Sequence, residues 1–269
     1  MAVRFGLPVI QPERIRTPEL ADVIAELAPD FLVVAAYGRI LPAQLLALPR
    51  IAPVNVHGSL LPRYRGAAPI QRALLDGVTE TGVTTIWMNE RMDEGDILLQ
   101  DSIVVMECHN AGRLTEALAG MGADLAVRTL LGLADGEVHR TPQNHALATY
   151  APPITAEDTF IRWDEPAVRC YNRVRAMAPR PGATTWFRQK RIKVLEAVID
   201  DDGSDGMPGA VIRVSHTAVV VSTGKGALRL VSVQPEGLRV MPAVAWARGA
   251  RLSAGERFGE PLRSTGGRV

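Results

Sequence analysis

The chain has 269 residues, room for one large domain or two ordinary ones, and 47% of them are hydrophobic against 22% charged. That balance excludes an intrinsically disordered chain, and there is no run of about eighteen apolar residues to mark a membrane span. The formal net charge of +1 hides an asymmetry, because residues 1–157 carry 12 Lys and Arg against 18 Asp and Glu, whereas residues 158–269 carry 18 against 11. A split of that kind is expected where the second part meets a polyanion. Cys108 and Cys170 stand far apart without metal-ligand spacing, and the start, Met-Ala-Val-Arg-Phe-Gly-Leu-Pro, has no signal-peptide layout. Two reduced thiols in a cytoplasmic protein are expected.

Leu7-Pro-Val-Ile10 is a weak strand candidate. Thr17-Pro-Glu19 then places an N-cap before proline at the first helical position, opening a helix to about residue 28 with Leu20, Val23, Ile24 and Leu27 at helical spacing. Phe31-Leu-Val-Val-Ala-Ala36 is a continuous apolar run, the pattern of a parallel strand covered on both faces. Strands over 54–57 and 83–88 flank a helix over 69–75, and a strand over 97–106 precedes a long Ala- and Leu-rich helix over 113–134. This alternation predicts a doubly wound, Rossmann-like α/β domain over residues 1–138. Residues 139–159 read as a linker rich in turn formers. A helix over 166–177 then leads into short strands over 184–187, 190–198, 209–214, 218–222 and 227–234. Five short strands in so few residues predict a small OB-like β-barrel within 160–259, with 260–269 as a tail.

The chemistry concentrates at the strand ends. Residues i and i+2 of a strand share a face, so the strand Val54-Asn-Val-His57 presents an amide donor and an imidazole together. A Pro- and Gly-rich loop, Gly58-Ser-Leu-Leu-Pro-Arg-Tyr-Arg-Gly66, follows. A second strand then ends in Arg91-Met-Asp-Glu-Gly-Asp96, which supplies a carboxylate. In doubly wound folds ligands sit at the carboxyl ends of the strands. Amide, imidazole and carboxylate at that place form a candidate acyl-transfer site of Asn55, His57 and a carboxylate of the acidic loop. Asp-Glu-Gly-Asp lacks the remaining ligands of a calcium loop, and no metal is expected.

The spelling of these loops carries a family resemblance. Ser59-Leu-Leu-Pro62 with Arg65-Gly66 and Pro69-Ile70, together with Asp93, resembles the signature of the folate-dependent formyltransferases. Ala35-Ala-Tyr-Gly-Arg-Ile-Leu-Pro42, Gly66-Ala-Ala-Pro-Ile-Gln-Arg72, Thr81-Gly-Val-Thr84 and Arg175-Ala-Met-Ala-Pro-Arg-Pro-Gly-Ala183 are most similar to the branch that formylates methionyl initiator tRNA. The resemblance runs from about Gly6 to about Phe258. It implies 10-formyltetrahydrofolate as formyl donor, initiator methionyl-tRNA as acceptor, no membrane, and a monomer. It implies Asn55, His57 and Asp93 as the catalytic residues. The folate pocket would be lined by Ser59, Leu60, Leu61 and Pro62, by Arg39 and Ile40 within 37–41, and by 89–93. Arg39 also reads as an ordinary surface arginine. Arg173, Arg175, Arg180, Arg188, Lys190, Arg191 and Lys193 would meet tRNA phosphates, and Trp186 and Phe187 read first as barrel core.

The family usually has about fifty further residues ahead of the point where this chain starts, forming the first two strands. The expectation is therefore of an N-terminally incomplete first domain, with Met1 a misassigned start or the chain a fragment, and exposed apolar sheet edges. The alternatives are a formyltransferase with a different acceptor such as a sugar nucleotide, a 10-formyltetrahydrofolate hydrolase, or an inactive tRNA-binding remnant.

Overall fold

The computed structural model describes residues 2–15, 17–200 and 206–259; the 260–269 tail lies outside the described residues. The chain divides into two compact units. One comprises Met1–Ala67, Gly82–Ser102 and Ala119–Tyr150, the other Ala68–Thr81, Ile103–Leu118 and Ala151–Val269.

In the first unit, α1 (Pro18–Glu26) starts where its sequence says: the Thr17 hydroxyl accepts from the Leu20 amide at 3.4 Å, capping an orphan donor ahead of proline. β1 (Phe31–Ala35) is followed by α2 (Ala43–Leu46), a single turn that periodicity cannot reveal, and then by β2 (Ala52–His57). β1 runs parallel to β2, with Val34 opposite Asn55. Leu20, Ile24, Leu32 and Val34 pack with the buried Ala21, Leu41 and Leu45, so one face of β1 carries α1 and α2. The other face is thinner. Val33 is 44% exposed and β1 is the edge of the sheet, so the expected strand covered on both faces is half-covered. Residues 7–10 form no strand and are exposed.

After α3 (Pro69–Asp76) come β3 (Glu80–Trp87), β4 (Asp96–Val104) and the 24-residue α4 (Ala111–Ala134). The sheet order is β1-β2-β3-β4. The α/β class agrees with the sequence reading, but the sheet is mixed, because β3 runs antiparallel to β2 with His57 opposite Thr84.

By length and composition alone α4 is apolar enough to cross a membrane. Its second half instead packs on the sheet: Leu130 and Leu133 join the core of Ala52, Val54 and Leu98, and the Thr129 hydroxyl lies 2.8 Å from that of Thr85. A Cβ on Gly122 would approach Val56 Cγ1 to 3.0 Å, so glycine lets the helix lie close.

In the second unit, α5 (Ala167–Met177) precedes β5 (Ala183–Phe187), β6 (Lys190–Asp200), β7 (Val211–Val214), β8 (Val219–Ser222), β9 (Ala227–Pro235), β10 (Met241–Pro242) and α6 (Ala243–Ala250). The antiparallel sheet runs β5-β6-β9-β8-β7, with β10 on β9. The turn between β5 and β6 is Arg188-Gln189, both at positive φ (46° and 66°), the pair of left-handed residues that a two-residue type I′ hairpin demands. The expected barrel is not closed: no ladder joins β5 to β7 among the described residues, although isolated bridges tie Gly259 to Trp186 and Arg257 to Ala210. Phe187, Trp246 and Phe258 pack ring to ring at 5.4–5.8 Å, which places Phe187 in the core. α3 lies against α5, where a Cβ on Gly77, itself at φ 72°, would come within 2.5 Å of Asn172 Nδ2.

Candidate active site

β2 ends by delivering Asn55 and His57, and the strand's period of two turns both toward the acidic loop between β3 and β4. Asn55 Nδ2 donates to Asp93 Oδ1 at 3.3 Å, and His57 Nδ1 stands 3.5 Å from the same oxygen. The second oxygen, Oδ2, accepts from the Gly66 amide at 2.9 Å. Three groups separated in sequence thus meet on one carboxylate. His57 is buried, and its Nε2 lies 2.9 Å from the Tyr64 carbonyl. A carbonyl only accepts, so Nε2 holds the proton in that bond, and Nδ1 is the nitrogen that faces the carboxylate.

The loop from Ser59 to Gly66 is fixed by β3. Thr84 Oγ1 donates to the Ser59 carbonyl at 2.7 Å and accepts from the Leu61 amide at 3.1 Å. Gln100 Nε2 bonds the Leu61 carbonyl (2.9 Å) and Thr84 Oγ1 (2.8 Å), while Ser59 Oγ closes the loop on the Arg63 carbonyl at 2.7 Å. Thr81-Gly-Val-Thr84 is therefore the anchor of the loop. Gly82 is required because a Cβ there would sit 2.1 Å from the Asp101 carbonyl oxygen.

Residues 139–150, which read as part of a connection, hold the same loops from another side. The Tyr64 amide donates to Thr149 Oγ1 at 2.8 Å, and the Arg65 amide to the Thr149 carbonyl at 2.9 Å. Thr141 and Ile97 exchange backbone bonds of 2.8 and 2.9 Å beside the acidic loop. Gln143 Nε2 reaches the carbonyls of both Asp93 and Gly95. Arg65 is only 2% exposed, with Gln143, His145 and Glu94 around its guanidinium.

The remaining predicted residues fall in two places. Ser59 and Leu61 are buried and Leu60 and Pro62 half-buried in the loop just described. Arg39 and Ile40 are exposed and line an open cavity of about 400 Å³ with Glu13, Arg14 and Ile15, and Arg39 Nη1 donates to the Glu13 carbonyl at 3.2 Å. Asn55, His57 and Asp93 do not line that cavity. Of the basic set, Arg173 pairs with Glu165, Arg188 with Glu256, and Arg191 lies 3.6 Å from Glu236, while Arg180 and Lys190 stand exposed. Sequence reading missed Thr84 and Gln143 as supports. Thr84 was visible as part of a motif, whereas Gln143 sat in an aperiodic stretch. Among the described residues no group of three or more His, Cys, Asp or Glu side chains is placed to hold a metal ion.

An amide, an imidazole and a carboxylate gathered at strand ends can polarise a carbonyl and move a proton, the needs of acyl transfer to an amine. Comparison with known proteins agrees with that chemistry. A family model described as "Formyl transferase" matches residues 4–130, and one described as "Formyl transferase, C-terminal domain" matches 153–251. A methionyl-tRNA formyltransferase of Moorella thermoacetica is 43% identical over 258 residues, 96% of this chain and 83% of that protein. One of a Roseiflexus species is 44% identical over 268 residues, 99% of this chain and 82% of that protein. Among solved structures, HypX from Aquifex aeolicus, crystallised with tetrahydrofolic acid, superposes with a TM-score of 0.69 at 19% identity. It covers 89% of this chain and 42% of its own, a likeness of fold.

Proposed function

The chain belongs to the formyl transferase family, and from that membership we propose that it moves the formyl group of 10-formyltetrahydrofolate to the α-amino group of methionine on initiator tRNA. That makes it a one-carbon transferase of translation initiation. The convergence of Asn55 and His57 on the Asp93 carboxylate is the observation that carries the reading.

The methionine nitrogen attacks the formyl carbon, and negative charge develops on the formyl oxygen. Asn55 stabilises it through its second amide proton, and His57 by turning its Nε2–H from the Tyr64 carbonyl to the formyl oxygen, each contribution worth about 3 kcal/mol in the transition state. Asp93 orients the imidazole and takes a proton from the attacking ammonium, directly or through water. The carbon–N10 bond then breaks, and N10 takes up a proton. The products are formylmethionyl-tRNA, tetrahydrofolate and one proton released to solvent.

Ser59, Leu60, Leu61 and Pro62 form the wall beside the trio, and Arg39 and Ile40 contact the folate donor, an assignment that rests on the family resemblance because the cavity they line does not include the trio. The division stays at a catalytic domain over 1–138, a connection over 139–159 and an OB-like tRNA-binding domain over 160–259. The excess of basic residues after 157 supports contact with tRNA phosphates, Arg180, Arg188, Lys190 and Arg191 being the exposed members of the set. The protein works as a cytoplasmic monomer.

The test offers labelled 10-formyltetrahydrofolate together with methionyl initiator tRNA, an amino-sugar nucleotide, or water alone. Label on the methionine supports the proposal. Label on the sugar, or formate released equally without an acceptor, replaces it with one of the other acceptors.

A further inference from the structure

We propose that Gln143 is the positioning residue that fixes the Asp93 carboxylate on Asn55 and His57, acting through the 93–95 turn and the buried Arg65. The inference rests on the reading of Asp93 as a residue of formyl transfer. Asp93 has φ 54°, a left-handed backbone that aspartate adopts more readily than most residues with a Cβ. Gln143 holds the turn in that shape. An amide nitrogen has two protons, and Nε2 directs them to the carbonyls of Asp93 (2.8 Å) and Gly95 (2.7 Å), the two that flank Glu94.

The other end of the amide is equally committed. Oε1 accepts from Arg65 Nε at 3.1 Å and Nη2 at 2.7 Å. That fork fixes which way the amide faces, because a flipped amide would set NH2 against guanidinium and oxygen against two carbonyls. Gln143 is 5% exposed, so neither end has water as an easy substitute. Arg65 immediately precedes Gly66, whose amide holds Asp93 Oδ2. One side chain therefore holds both the backbone of Asp93 and the residue next to the donor that grips its carboxylate. Asp93 has a single methylene between backbone and carboxyl, so its oxygen goes where the turn puts it.

Two variants divide the arms. Gln143→Leu removes both, and Gln143→Glu keeps an acceptor for Arg65 but cannot donate to the turn. The Gly66 amide, observed by nuclear magnetic resonance, reports the carboxylate directly and needs no activity. Both variants are expected to speed its hydrogen exchange roughly tenfold or more while the Leu61 amide, bonded to Thr84, stays within about threefold. In single-turnover formylation both are expected to lower the rate on the order of 10- to 100-fold with KM for either substrate within about threefold. In an Asp93→Ala background the further loss is expected to stay under about threefold, because the positioned group is gone. An unchanged Gly66 amide, an equal fold loss in both backgrounds, or a loss confined to KM overturns the proposal. If Gln143→Leu does not fold, Gln143→Glu decides alone by the same readings. If the wild-type chain transfers no formyl group, the functional reading fails, and the Gly66 exchange still decides the positioning role.

Discussion

Asn55 donates its side-chain amide to Oδ1 of Asp93 at 3.3 Å, across 38 residues of sequence, and that oxygen also faces His57 Nδ1 at 3.5 Å. Both distances exceed those of tight charge-assisted bonds, about 2.7–2.9 Å. Oδ2 is held closer, by the Gly66 amide at 2.9 Å. The carboxylate is thus anchored through one oxygen and presents the other to the two polar groups of β2. Several features of the surrounding chain exist to keep that arrangement.

Gly95 is one of them. A Cβ there would stand 1.9 Å from the Trp87 carbonyl oxygen, backbone that cannot yield as a side chain could. Gly95→Ala is expected to push the acidic loop off the end of β3, with a stability loss of about 1–3 kcal/mol or more and a fall in the formylation rate. Denaturant unfolding and single-turnover assays check this. A variant matching the wild type in both would show that the close approach does not matter.

The Arg72–Asp158 pair ties α3 to the chain that follows residue 151. Arg72 makes a two-pronged bond to the carboxylate at 2.7 and 2.8 Å and also reaches the Pro152 and Pro153 carbonyls. The Arg72 hydrogen bond, partly opposed by burial, holds the Asp158 carboxyl down from 3.8 to about 2. A carboxyl depressed in the folded state stabilises above its unfolded value near 3.9, and that stability drains as pH falls toward 2. Asp158→Asn is expected to be about 1–3 kcal/mol less stable above about pH 5, with the difference shrinking between pH 4 and 2. Unfolding curves from pH 2 to 7 measure it, and a constant difference throughout would contradict the pairing.

The two thiols should react very differently. Burial pushes the Cys170 thiol up to about 12, and its Sγ lies 3.1 Å from the Arg162 carbonyl. Cys108 is exposed. Alkylation of the native protein near pH 8 should label Cys108 and spare Cys170, with both labelled in denaturant. Labelling of Cys170 in the folded protein would mean that its surroundings open readily.

Much of the site could be read from the chain because its chemistry is written at strand ends. The period of β2 put Asn55 and His57 on one face, and the family resemblance of the loops singled them out together with Asp93 from the acidic turn. Thr17 and Pro18 announced α1 by cap chemistry alone. What stayed hidden depended on tertiary approach. The reversal of β3 leaves no mark in β3 itself, whose residues suit either direction of pairing. α2 has four residues, too few turns for a periodic signal to rise above its Ala and Leu content. Gln143 lies in an aperiodic run beside Pro142, where nothing local distinguishes a buried clamp from a solvated loop residue. Val33 looked like the middle of a covered strand, and its exposure comes from the position of β1 at the sheet edge.

The most direct test is single-turnover formylation of methionyl initiator tRNA by the wild-type chain and by His57→Ala, at saturating 10-formyltetrahydrofolate. The imidazole is read as a donor to the oxyanion, so the variant should bind both substrates and form formylmethionyl-tRNA about 100- to 1,000-fold more slowly. Equal rates for variant and wild type would remove His57 from the chemistry and contradict the account of the site.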